Sequence, residues 1–281
     1  MNVFIVLIII LILLICLLLI ALAGFILLIP FFMKPNHRRD VSQFKGKLFA
    51  HRGLHDNVIP ENSIPAFKAA VENGYGVELD VQMTADGRLV VFHDGNLERM
   101  CGVNALLKDY TYEELSKFRL KETNEIIPLF SDVLSVLGKT DLICEIKGDN
   151  GQKNYTLCEK VYDMLKGYEG AFCIESFSPF LVGWFKNYHP EIIRGQLSQK
   201  FTRKDRINFP VRLSMNNLWV NVVSRPDFIA FRHEDKGSFG FRVVRFLYRP
   251  FIIAWTAKGQ EEQFESWKVY DSVIFEKGEQ Q

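Results

Sequence analysis

Residues 49–94 gather groups able to do chemistry in a short stretch: His51-Arg52 ends an apolar run, Glu78 and Asp80 follow, and His93-Asp94 closes it. Glu78 and Asp80 stand two apart in GVELDVQ, so a strand there turns both carboxylates to one face of an otherwise apolar segment. Two acids side by side in a core lose hydration and repel each other, so they call for a cation. Glu145 repeats the pattern in LICEIKG, with Lys147 two positions on and on the same face. Three carboxylates from two strands form an all-oxygen set suited to Mg²⁺ or Ca²⁺, ions that prefer carboxylate and water to imidazole or thiolate. The alternative for the same residues is an acid–lysine network that only closes a barrel floor.

Two imidazoles near such a site suit acid–base exchange at neutral pH, one taking a proton from the nucleophile and the other returning one to the leaving group. His51 and His93 are the candidates; zinc ligation is the other use of the same pair. Arg52 offers paired donors and Lys147 a compact charge, which favours an anionic phosphoryl substrate over a neutral ester. Trp255, in IIAWTAK, is either an apolar wall for substrate or a barrel-core aromatic. His55, His189 and His233 lie in polar loops and read as surface residues.

The elements that must carry these groups follow from the pattern after Gly46, where short Val-, Ile- and Phe-rich runs alternate with segments of helical period. Candidate strands cover 47–51, 76–82, 88–93, 141–147, 171–176, 192–197, 227–231, 250–255 and 271–275, one more than an eight-stranded barrel needs. Asp86-Gly87 resolves the count as a hairpin turn that makes 76–83 and 88–93 an antiparallel pair. A two-residue turn there would put His93 opposite Asp80. Helices are expected at 64–73, 111–118, 153–166, 178–187, 213–223, 237–247 and 259–268. The stretch 95–128 exceeds a normal connection and reads as an insertion over the barrel mouth. The expected fold is a TIM (β/α)8 barrel with a small insertion after the second barrel unit, preceded by one transmembrane helix.

The chain has 281 residues and a formal charge of +1, so nothing in its balance points to a nucleic-acid partner. From Val3 to Phe32 no residue is charged, a run longer than the ~20 residues that cross a bilayer core. Residues 1–33 therefore read as an uncleaved anchor in the lipid bilayer, 34–45 as a juxtamembrane linker and 46–281 as the barrel domain. Lys34, Arg38 and Arg39 follow the apolar run and no basic residue precedes it, which places the body on the cytoplasmic side of the cell membrane. Five scattered cysteines without a CxxC read as free thiols rather than a disulfide framework.

In order along the chain, His51-Arg52-Gly53, Pro60-Glu61-Asn62-Ser63, Glu78-Leu79-Asp80-Val81, Thr84 with Asp86-Gly87, His93-Asp94, Glu145-Ile146-Lys147, Ser176-Phe177 and Ala254-Trp255-Thr256 resemble the signature of the glycerophosphodiester phosphodiesterase family. The resemblance runs from about residue 46 to the C-terminus and implies a phospholipase-C-like phosphodiesterase barrel. It also implies divalent-metal hydrolysis of glycerophosphodiesters to glycerol phosphate and an alcohol. It carries acid–base roles onto His51 and His93, metal ligation onto Glu78, Asp80 and Glu145, and phosphate contacts onto Arg52 and Lys147. A glycerol hydroxyl acting as nucleophile through a cyclic phosphate is a further implication. The last strand, Asp271 to Glu276, departs from the family's Gly-Ile-Ile-Thr-Asp-Tyr-Pro type of ending. Lysolipid or phospholipid substrates, a lysophospholipase-D or sphingomyelinase-D-like specificity, and an inactive binding protein on the same barrel are the alternatives.

Overall fold

The computed structural model describes residues 3–36, 39–148 and 155–278. His37, Arg38 and the first two residues of the helix expected at 153–166 lie outside them. Nine strands form one sheet: β1 Leu48–His51, β2 Gly76–Met83, β3 Leu89–Val91, β4 Leu142–Ile146, β5 Phe172–Ser176, β6 Arg194–Ser198, β7 Phe228–Arg232, β8 Phe251–Lys258 and β9 Ser272–Glu276. Their order is β1-β9-β8-β7-β6-β5-β4-β2-β3, and β1 also pairs with β2, which closes eight parallel strands into a TIM barrel. The ninth, β3, runs antiparallel to β2 outside the ring.

Strand alternation sorts side chains between two environments. Val77, Leu79 and Val81 of β2, Leu142, Cys144 and Ile146 of β4, and Val273 and Phe275 of β9 point outward into the large core beneath the helices. The intervening residues point inward. Near the strands' N-terminal ends these are Phe49, Ile143, Cys173, Phe228, Ile253 and Ile274, sealed from below by Phe44. Gly76 and Gly195 make room for this floor, since a Cβ on either would lie 2.5 Å or less from the rings of Phe49 and Phe228. One layer higher, the inward positions turn polar.

The helices between the strands are α1 Val3–Met33, α2 Ile64–Glu72, α3 Glu98–Cys101, α4 Tyr112–Leu115, α5 Phe130–Leu137, α6 Tyr155–Leu165, α7 Pro179–Tyr188, α8 Phe209–Asn216, α9 Asn221–Ser224, α10 Phe239–Tyr248 and α11 Gly259–Trp267. Ser63 caps α2, its Oγ accepting from the Ala66 amide and donating to the Pro60 carbonyl. The stretch after β3 carries α3 and α4 over its own small core of Phe92, Leu97, Met100, Leu107, Leu115 and Ile127.

Three expectations need correction. The helix expected at 213–223 is two, α8 and α9, because Leu218 takes a left-handed φ of 56° between them. Helix α5 was not anticipated at all: its apolar face is short and abuts the β4 run. The hairpin pairs Val81 with Val91 and Met83 with Leu89, one residue away from the expected register. The Gly87 amide donates to the Thr84 carbonyl and Gly87 has φ 76°, so the loop is the longer kind with a left-handed glycine at its end. Phe92, not His93, consequently lies opposite Asp80.

Helix α1 is long and apolar enough to cross a membrane. Its side chains are exposed from Phe4 to Leu28, apart from a half-buried Val6, and only its last turns pack on the barrel, where Met33 is buried. Among the described residues all five cysteines are free thiols.

Candidate active site

Parallel register brings together acids far apart in sequence. Asp80 pairs with Glu145 and Glu145 with Glu175, so three adjacent strands present inward carboxylates at one level; His51 pairs with Glu78 at the next. His51, Glu145 and Glu175 lie at the C-terminal ends of their strands, and Glu78 and Asp80, midway along the longer β2, are level with them, at the mouth where barrel enzymes build their sites. Glu78, Asp80 and Glu145 each offer an oxygen, all within 4.8 Å of one another, which is close enough to share one cation.

Lys147 lies between two of the acids, its Nζ 2.8 Å from both Asp80 Oδ1 and Glu145 Oε2. Arg52 has Nε 3.4 Å from Asp80 Oδ2 and donates from Nη1 to Glu61 Oε1 at 2.7 Å. The Asn62 amide donates to Asp80 Oδ2 at 2.8 Å. Arg52 has a left-handed backbone (φ 55°), which aims its N–H at Glu78 Oε2, 3.0 Å away. Side chains without glycine's freedom hold such angles only where surrounding contacts impose them.

Electrostatics divide the acids. Burial, and then repulsion from Asp80, Glu145 and Glu175, pushes Glu78 well above the usual carboxylate range. Burial likewise raises Glu175, whose Oε2 has no hydrogen-bond partner, and raises Glu145 despite Lys147. Burial works against the charge of Asp80 too, but Lys147 and Arg52 outweigh it and hold that carboxyl well below its ordinary value. Among the described residues, these four buried carboxylates thus face two cations, Lys147 and Arg52, while buried Glu61, which Arg52 also touches, is matched by Arg99. If all four acids ionise, the deficit is two charges, that of one divalent ion. The all-oxygen donor set has the hardness of such an ion.

Each of the two histidines rests on a carboxylate. His51 Nδ1 is 2.6 Å from Glu276 Oε1, which leaves Nε2 on the acid side, 3.9 Å from Glu78 Oε2. Burial lowers His51 to about 4, against the opposing pull of Glu276. Burial pushes Glu276 upward, but the His51 hydrogen bond together with the nearby charges of His51, His55 and Lys258 outweighs this and sets it at about 2. His93 Nδ1 is 2.6 Å from Asp94 Oδ1, and the other oxygen of Asp94 accepts from Arg99 Nε at 2.6 Å. Arg99 also donates to both oxygens of Glu61, at 2.7 and 2.8 Å. Through Glu61 and Asp94, one guanidinium from the inserted segment joins Arg52 to His93. Trp255 stands at the mouth with its ring edge-on to Phe177 at 5.6 Å, and Phe177 meets Phe201 at 6.1 Å.

Every residue singled out by sequence therefore lies at this mouth: His51, Arg52, Glu78, Asp80, His93, Glu145, Lys147 and Trp255. His55, His189 and His233 are half-buried rather than surface residues. His189 stacks on Tyr162, and His55 offers a nitrogen within 4.8 Å of His51 and Glu276. Sequence reasoning missed Glu276, Glu175 and Arg99. Glu175 carries the signal that marked Glu145, an acid inside an apolar strand. Glu276 follows the apolar run SVIF at a strand's C-terminal end, where a barrel places its working groups.

Residues 51–221 match the Glycerophosphoryl diester phosphodiesterase family. The chain is similar to a glycerophosphodiester phosphodiesterase of Caldanaerobacter subterraneus subsp. tengcongensis, 38% identical over 165 residues that cover 55% of this chain and 68% of that protein. A Bacillus altitudinis glycerophosphodiester phosphodiesterase is 38% identical over 157 residues, 52% of this chain and 64% of the other, so the match spans about two thirds of each relative. The fold resembles that of an Oleispira antarctica phosphodiesterase solved with the product sn-glycerol-3-phosphate. The TM-score is 0.66 at 21% identity, over 83% of this chain and 94% of that one. The chain belongs to the glycerophosphoryl diester phosphodiesterase family, and with it to the phosphoric diester hydrolases.

Proposed function

We propose that the chain hydrolyses glycerophosphodiesters to glycerol phosphate and an alcohol, using a divalent cation, Mg²⁺ or Ca²⁺, held by Glu78, Asp80 and Glu145. The observation that carries this reading is the trio of converging carboxylates flanked by two histidines, each with its Nδ1 on an acid. When bound, the cation supplies positive charge to the phosphoryl oxygens and lets Glu78 stay ionised despite its burial.

The chain's own groups do the rest. With Glu276 accepting from Nδ1–H, His51 presents a bare Nε2 toward the acids and takes the proton of the attacking hydroxyl, whether water or the substrate's own glycerol. His93, oriented through Nδ1 by Asp94, returns a proton to the leaving alkoxide from its other nitrogen. Arg52 and Lys147 offer the phosphate their remaining N–H groups, and Trp255 with Phe177 walls the apolar side of the mouth. Helix α1 anchors the chain in a bilayer with the body on the cytoplasmic side.

The test is a substrate panel of glycerophosphocholine, lysophosphatidylcholine and phosphatidylglycerol with Mg²⁺ or Ca²⁺ and product identification. Glycerol phosphate release that EDTA abolishes and His51→Ala eliminates is the expected result. Turnover that survives either treatment overturns the mechanism. Release of lysophosphatidate would place the specificity with lysophospholipase D instead.

A further inference from the structure

Helix α1 meets the barrel at the end opposite the mouth. Tyr248 donates from its hydroxyl to the Pro30 carbonyl at 2.5 Å, Asn221 donates to the Met33 carbonyl at 2.8 Å, and Arg225 donates to the carbonyls of Phe31 and Lys34 at 3.0 and 2.8 Å. The Asn36 amide donates to the Pro226 carbonyl, just before β7 begins. Phe25 meets Trp219 edge-on at 5.8 Å. These contacts take up the last third of α1. The remainder, Phe4 to Gly24, extends over about 32 Å at 1.5 Å per residue, the thickness of a bilayer's hydrocarbon core. The boundary of the bilayer then falls near Phe25, on the level of Trp219 and about 7.5 Å along the helix from Pro30, where the C-terminal end of α10 is bonded.

That end of α10 has an unusual surface. Phe246 is 82% exposed and Leu247 45% exposed, the next residue being the Tyr248 that holds α1. Arg242, Arg245 and Arg249 flank them and are exposed, and with Phe246 they line a shallow cleft of about 540 Å³ whose one acid is Asp271. Apolar side chains projecting beside arginines, next to a membrane anchor, match the layered chemistry of a bilayer surface, where acyl chains lie below anionic phosphates.

We propose that the C-terminal half of α10 docks on an anionic lipid surface, with Phe246 and Leu247 entering the acyl boundary and Arg242, Arg245 and Arg249 binding lipid phosphates. This rests on the reading of α1 as a bilayer anchor. The charge complementarity and the direct bond from Tyr248 to Pro30 of α1 commit the surface to this occupant. Docked so, the barrel stands on its N-terminal rim and its mouth opens toward water.

The full chain, with Cys16→Ala and Cys101→Ser to remove the accessible thiols, is labelled with a fluorophore at Phe246→Cys or, on the mouth loop, at Val58→Cys; Val58 is 79% exposed. Each is reconstituted in phosphatidylcholine vesicles with or without phosphatidylglycerol, carrying a headgroup nitroxide as quencher. The expected result is quenching at 246 that is at least twofold stronger with phosphatidylglycerol, is relieved by salt and by Arg242→Glu with Arg245→Glu, and is absent at 58. Equal or absent quenching at 246, or quenching at 58 to match it, overturns docking. An alkaline wash separates the two readings: a chain stripped from the vesicles ends the anchor reading and docking with it, whereas a retained chain unquenched at 246 ends docking alone.

Discussion

The two ends of the barrel handle buried charge in opposite ways. At the floor, Arg194 and Asp227 lie 3.5 Å apart, and Asp227 also accepts from the Arg194 amide and from the Asn36 side chain. The apolar layer of Phe49, Ile143 and Phe228 separates them from the mouth. There each charge has its counter-charge, so the pair does no more than fix the chain. Burial works against the charged forms at both ends, raising Asp227 as it raises Glu78 and Glu175, but at the mouth Glu78, Asp80, Glu145 and Glu175 outnumber Lys147 and Arg52. Folding alone gives no reason for such a surplus; a bound cation does. Buried charge that is matched reads as architecture, and buried charge left in excess reads as a site waiting for a partner.

Four substitutions sharpen this contrast. Glu78→Gln should cut kcat at least about 100-fold, because several kcal/mol of charge stabilisation by the cation are at stake. In chelator the same variant should melt no lower than the parent. Glu78 is raised in the fold, so its contribution to stability is complete below its ordinary pKa and is lost as pH rises through the raised value. The variant's advantage should therefore grow with pH in calorimetry, and a lower melting point at neutral pH would break the comparison.

Arg194→Met should act in the reverse sense. It leaves Asp227 buried without its cation, which costs about 3–5 kcal/mol of stability in denaturant titration, while kcat/KM per folded molecule stays at the parent's value. A loss of kcat without a loss of stability would mean that the floor also serves chemistry.

Glu276→Gln should lower kcat/KM about 10- to 100-fold, in line with losing the group that orients a working imidazole. His51 lies at about 4, below its ordinary value, so the acid limb of the pH–rate profile attributable to it should fall near pH 4 rather than 6.5. The Glu276 bond pulls that value up, so the variant's limb should move further to acid, opposite to the shift produced by adding a negative charge. By linkage, the stability contributed by His51 is present above 6.5 and lost as pH falls through about 4. Arg99→Gln, at a half-exposed position, should have the smallest effect, a few-fold fall in kcat with little change in melting temperature, since partly exposed ion pairs contribute about 1 kcal/mol or less.

Much of this site was legible because its signals are local. An acid at i and i+2 of an apolar strand, as in Glu78 and Asp80, or alone in LICEIKG, is costly enough to stand out in a linear reading. The alternation that exposed those acids also gave the barrel. What stayed hidden depends on distance in the chain. Glu276 matters because β9 pairs with β1, and Arg99 because α3 folds back onto Glu61, thirty-eight residues earlier. The hairpin register failed at a finer scale: Asp-Gly suits loops of two and three residues, and packing of Val81 against Val91 selects between them.

The closing strand has a consequence for how the protein is made. Ser272–Glu276 is the last strand in chain order, yet it pairs with the first and brings Glu276 to His51 across 225 residues. While the chain is being synthesised, β1 and β8 are both unpaired sheet edges and His51 lacks its carboxylate until the final strand emerges. A chain that lacks this strand thus carries two open sheet edges, a template for unwanted pairing, and a His51 without the carboxylate that holds its ring.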